Sequence, residues 1–125
     1  MVKEEVVMNE ITWDDFARVE LKVGTIVKAE HFPEARKPAY KLTIDFGPNI
    51  GIRRSSAQIT DLYSIEDLVG KQVIAVLNFP EKQIGPFMSQ CLVTGFHRED
   101  GSVVLAVPDP AFEQSEKILN GAMLS

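Results

Sequence analysis

Cysteine is almost missing from this chain, histidine is scarce, and no apolar run approaches the length of a membrane span. A single cysteine, Cys91, excludes an internal disulfide and fits a reducing cytoplasm. Its ordinary reading is a small buried apolar residue, not a catalytic thiol. The two histidines, His31 and His97, offer Cys91 no third group that would orient an imidazole. His97, Glu99 and Asp100 surround a tight turn, where acids are usually solvated and do not ligate a metal. Neither a P-loop nor a Gly-x-Gly-x-x-Gly occurs. The paired carboxylates stand at helix starts, where capping explains them. The expectation is a protein that is no enzyme and takes neither cofactor nor metal. Positive charge is also in deficit. Thirteen Lys and Arg against 18 Asp and Glu give a net charge of −5, which argues against a general nucleic-acid coat. A local basic patch stays open. The charged start Met1-Val2-Lys3-Glu4-Glu5 does not read as a signal peptide.

What is present is a hydrophobic share of 45% over 125 residues, enough for one core and too little chain for two ordinary domains. Residues 1–10 are acidic and unpatterned and read as an extension, with one domain over 11–125. Thr12 followed by Asp15 reads as a capping box opening a short helix that Trp13 and Phe16 pin to the body. Val19, Leu21 and Val23 alternate with Glu20 and Lys22 as a strand. Gly24 breaks the phase and predicts a bulge or bend there. A second strand over Tyr40–Phe46 turns Leu42, Ile44 and Phe46 inward, and Ile50–Ser56 returns after Gly47-Pro48-Asn49. Ser64 and Asp67 repeat the capping pattern, with Gly70 ending that helix. Lys71–Phe79 is a strand covered on both faces, Pro80–Met88 a loop, and Gln90–Phe96 a fifth strand. Asp100-Gly101 marks a hairpin turn before Val103–Val107. Three strands, a helix and two strands is the order of an all-β, five-stranded OB-fold barrel.

Two features point to binding. Arg36, Lys37, Lys41, Arg53 and Arg54 cluster around the second and third strands with Tyr40, so that the five charges would share one face suited to stacked single-stranded bases. The bland alternative is the wet side of amphipathic strands. The segment Asn78–Ser89 carries Phe79, Pro80, Ile84, Phe87 and Met88, more apolar than solvent-exposed loops usually are. It either folds over the barrel end or offers a surface to a partner chain.

Val19-Glu20-Leu21-Lys22-Val23-Gly24-Thr25-Ile26 with Ala29-Glu30 resembles the opening strand of the tRNA-binding domain family, which includes domains appended to some aminoacyl-tRNA synthetases. Phe32–Leu42, Ser55–Ile59 and Asn78–Cys91 are similar to its CsaA-like, export-related chaperones. The resemblance spans about residues 11–108. It implies a cytoplasmic homodimer, joined partly by its C-terminal segment, that binds unfolded or preprotein chains without catalysis. Phe79, Pro80, Ile84, Phe87 and Met88 would supply that contact. The family pattern Asn-x-Pro-x-Lys-x-x-Gly-x-x-Ser stands as Asn78, Pro80, Lys82, Gly85 and Ser89. This implies a second surface for tRNA from Arg36, Lys37, Lys41, Arg53, Arg54, Ser55, Ser56, Asn78, Lys82 and Ser89. Two departures from the tRNA binders stand out. Ser89-Gln90-Cys91 replaces their Ser-x-Gly-Met, and Ser56-Ala57-Gln58-Ile59 replaces Ser-Gly-Ile. Asn120-Gly121-Ala122 resembles the family's closing motif, after a stretch at 111–119 that either alters the dimer interface or forms a helical turn.

Overall fold

The computed structural model describes residues 8–112 and 118–125. Of the extension read at 1–10, residues 1–7 lie outside them, as does the centre of the 111–119 stretch, residues 113–117. A five-residue helix, α1 (Trp13–Ala17), leads into β1 (Leu21–His31), β2 (Tyr40–Asp45) and β3 (Ile52–Ala57). Helix α2 (Ile65–Leu68) crosses to β4 (Gln72–Val76), followed by β5 (Lys82–Ile84), β6 (Phe87–Ser89) and β7 (Leu92–Val93). A final hairpin joins β8 (Gly95–His97) to β9 (Val103–Leu105). The main sheet runs β3-β2-β1-β4-β7, all neighbours antiparallel, and curls into a nearly closed barrel.

Both capping boxes form. Thr12 and Asp15, and then Ser64 and Asp67, exchange side-chain and backbone hydrogen bonds at the helix starts. The anchoring expected for α1 does not. None of its residues is buried, and Trp13 is 66% exposed. The connection behind the helix is held instead by Asn78, whose amide donates to the Arg18 carbonyl (2.6 Å) and accepts from the Glu20 N–H (3.0 Å).

Strand β1 serves both halves of the barrel, as its length suggests. Leu21–Thr25 pair with β4 and Thr25–His31 with β2. The bulge lies between Ile26 and Lys28, not at Gly24. Gly24 faces the core, where an added Cβ would stand 2.6 Å from Ile44 Cγ2 and 2.7 Å from the Phe46 ring. The glycine is there for close packing. Val23 is buried on the opposite face, beneath a C-terminal segment that hydrogen-bonds to β1 at Val23 and Leu21. This segment reaches the barrel through Asn120, whose side-chain oxygen Oδ1 accepts from the Thr25 hydroxyl (2.9 Å) and the Gln72 side-chain amide (3.3 Å).

Ile26, Leu42, Ile44, Phe46, Leu68, Val73 and Ala75 fill the main core. A satellite core joins Phe32, Ala39 and Phe87, with Ala35 and Ile84 against it. The strand read over Gln90–Phe96 is divided: β7 pairs with β4, while β8 pairs with β9.

Candidate macromolecule-binding face and cleft

The segment read as a loop at Pro80–Met88 contains a hairpin. β5 and β6 pair through Lys82↔Ser89, Gln83↔Met88 and Ile84↔Phe87, turning at Gly85 with φ of +55°. Its apolar residues divide into two groups. Phe87 is only 3% exposed, and its ring packs on Phe32 at 5.3 Å between centroids, with Ile84 half-buried beside it. Burial takes Phe87, and most of Ile84, off the contact surface expected of them. Phe79 (53% exposed), Pro80 and Met88 stay outside.

Phe79 and Pro80 line a cleft of about 170 Å³ with Lys82, Ser89, Cys91 and Leu92. Leu92, 51% exposed, was not singled out by the sequence, because a strand residue followed by Val93 gives no sign of which side it takes. The floor of this cleft is also where the barrel closes. The Gln90 N–H donates to the Arg54 carbonyl (2.7 Å), and the Gln90 side-chain oxygen accepts from the Arg54 N–H (3.0 Å). Gln90 thereby supplies both partners of one ladder rung, half from its backbone and half from its side chain. Ser55 is buried, and its hydroxyl donates to the Cys91 carbonyl (2.9 Å). That places Ser55 in the closure, away from any ligand. Ser89 Oγ accepts from the Ser56 N–H at 3.2 Å.

The five clustered cations do not share one face. Arg53 lies opposite the core residue Ile44, whereas Arg54 lies opposite Thr43. Directly opposed residues of antiparallel strands project to the same side, so Arg53 and Arg54 point apart. Lys41 and Arg54 remain together on the outer face, and Arg36 and Lys37 are exposed in the β1–β2 connection. Lys41 Nζ lies 5.6 Å from the centre of the Phe32 ring, and the Arg54 guanidinium lies 4.5 Å from that of Phe87. The two buried rings therefore serve as seats for two outward cations. Tyr40 is buried, with its hydroxyl donating to the Tyr63 carbonyl (2.8 Å), so it offers no stacking platform.

Burial pushes the Cys91 thiol up from its ordinary 9.0 to about 11, against a smaller opposing pull from Ser55 and Arg53. A raised value means that the folded state holds the proton more tightly. The stability linked to this group is whole below pH 9.0 and is lost as pH rises through about 11. Native protein at pH 8 is expected to resist iodoacetamide and to be labelled rapidly in urea; rapid native labelling would contradict that burial. Among the described residues, no group of three His, Cys, Asp or Glu gathers as a metal site would require.

A small barrel with a cation-bearing outer sheet face and an apolar cleft at its closure belongs to the OB class, whose sheet faces and loops receive other macromolecules. The family described as "Putative tRNA binding domain" matches residues 21–117. This chain belongs to that tRNA-binding domain family. The structure of chaperone CsaA from Bacillus anthracis str. Ames superimposes with a TM-score of 0.81 at 44% identity, covering 94% of this chain and 100% of that one. CsaA from Picrophilus torridus gives 0.82 at 44% identity, over 93% and 100%. The methionine–tRNA ligase of Flavobacterium psychrophilum is 35% identical over 101 residues, which is 81% of this chain and 14% of the ligase. The chain thus spans about a seventh of the length of such curated relatives. No described helix is long and apolar enough to cross a membrane.

Proposed function

We propose that this protein is a CsaA-like chaperone of the cytoplasm, holding extended apolar segments of unfolded or export-bound chains in the Phe79–Leu92 cleft. The observation that carries this reading is the cleft itself, with exposed Phe79, Pro80 and Leu92 as apolar walls and Lys82 and Ser89 as a polar rim. Apolar walls give affinity for any hydrophobic side chain, and polar groups at the rim suit a peptide backbone. Full-length coverage of two CsaA chains at 44% identity supports it.

The working unit is a homodimer. Its supports are the exposed Ile11 and Trp13 at one end of the chain, and Leu119, Met123 and Leu124 at the other. A further support is an apolar hollow of about 440 Å³ walled by Val23, Ile74, Phe112, Ile118, Met123 and Leu124. Exposed apolar area on this scale favours association.

A second reading, tRNA binding through Lys41, Arg54, Arg36, Lys37 and Lys82, is favoured by the family match and by the two ring-seated cations. One titration series tests both. Labelled unfolded preprotein segment and labelled tRNA are titrated by fluorescence anisotropy at low and near-physiological salt. Phe79→Ser with Leu92→Ser is expected to weaken peptide binding about tenfold or more and leave tRNA untouched. Lys41→Gln with Arg54→Gln is expected to do the reverse and to flatten the salt dependence. Peptide affinity unmoved by the first pair would remove the cleft from the chaperone reading.

A further inference from the structure

On the outer face of β1, β2 and β3, the register sets Lys28, Thr43 and Arg54 in one row and Glu30, Lys41 and Ser56 in the next. Three cations and one carboxylate therefore share a patch two residues deep. The carboxylate is divided between two of the cations. Its Oε1 lies 3.2 Å from Lys28 Nζ, and its Oε2 lies 3.6 Å from an Arg54 terminal nitrogen. One anionic oxygen per cation is also how a bridging phosphate would be held.

We propose that Glu30 is a specificity-determining residue: an internal anion that occupies Lys28 and Arg54 and has to be displaced before a polyanionic backbone can use them. For its biological ligand the inference rests on the RNA reading given above, whereas the physical claim concerns any polyphosphate or polysulfate. The carboxyl is held below the usual carboxylate range, first by its hydrogen bond with Lys28 and then by the charges of Lys28, Lys41 and Arg54, against some desolvation. Glu30 therefore competes with its full charge at neutral pH. A ligand offering charge alone has to replace two ion pairs before gaining anything. One that also fills the neighbouring cleft or contacts Arg36 and Lys37 has further binding energy to draw on. Glu30 so raises the threshold against indiscriminate polyanions, on a body whose net charge is already −5.

The test compares full-length wild type, E30Q and E66Q, the last removing an equal charge at the exposed Glu66 of α2. Retention on immobilised heparin and anisotropy with bulk tRNA are the two readouts. E30Q is expected to leave heparin at higher salt than wild type while E66Q stays with wild type. Its tRNA affinity is expected to rise about threefold to tenfold at low salt, the span two exposed ion pairs can cover. Its salt dependence should steepen by about one released counterion. Adding Arg54→Gln to E30Q should remove most of the gain. E30Q eluting with wild type overturns the proposal, since Glu30 would then not compete for the cations, and so does E66Q shifting as far as E30Q, since the carboxylate would then act only through net charge. A heparin shift with no tRNA bound by any variant upholds the role of Glu30 and removes the RNA reading instead. If neither probe is held by E30Q, both fall.

Discussion

Phe87→Ala is expected to cost about 3 kcal/mol or more of stability and, in the same variant, to weaken polyanion binding, although the ring meets no ligand. The first effect follows from burial. The ring is almost fully enclosed against Phe32 and Ala39, and its loss leaves a void that the short β5–β6 hairpin is too small to collapse into. The second follows from the guanidinium above it. The Arg54 guanidinium lies 4.5 Å from the ring centre and is also paired with Glu30 at 3.6 Å. Without its aromatic seat, the fork samples more rotamers and loses preorganisation. Urea titration should show a lower midpoint with unchanged slope. An unchanged midpoint would contradict the satellite core. A Phe87→Leu variant should restore most of the stability and little of the Arg54 effect, which separates the two roles.

Gly24→Val is expected to destabilise by about 3 kcal/mol, against what strand preference alone would give. Valine favours strands and glycine weakens them, by roughly 1 kcal/mol in valine's favour. Here packing outweighs that preference. The Cβ alone would stand 2.6 Å from Ile44 Cγ2 and 2.7 Å from two Phe46 ring atoms, both residues being fully buried. Overpacking of this kind typically costs about 1–3 kcal/mol, and the two extra methyls push it to the upper end. Thermal unfolding should drop on the order of 10 °C. A melting temperature equal to or above that of wild type would mean that β1 and β2 are not in this register.

Where interactions are local, the sequence was a good guide. Thr12 and Asp15, or Ser64 and Asp67, are three residues apart and carry the whole capping geometry within themselves. Likewise, the alternation of Leu42 and Ile44, continued by Phe46 just past the end of β2, needed nothing beyond that segment to predict its inner face. What was misread depends on distant partners. Nothing near Phe87 announces that Phe32 and Ala39 will cover it, so the segment's apolar residues, expected together on one contact surface, divide between a satellite core and the cleft. The neighbours Arg53 and Arg54 look like one cluster in a string of letters, but the strand's period of two sends them to opposite sides. The candidate site was legible in outline through Phe79, Pro80, Lys82 and Ser89. It lacked Leu92, Lys28 and Glu30, whose roles arise only where strands meet.

The docking of the C-terminal segment has a consequence for synthesis. Along β1, strand β2 begins only at Thr25, and the edge of the preceding residues is taken by Gly121, Ala122 and Leu124. The hydroxyl of Thr25 finds Asn120 95 positions later. A ribosome therefore delivers the barrel's founding strand long before the residues that seal its flank. In that interval β1 offers unsatisfied backbone groups to whatever chain is nearby. A protein proposed to hold unfolded chains would itself pass through a stage of needing shelter.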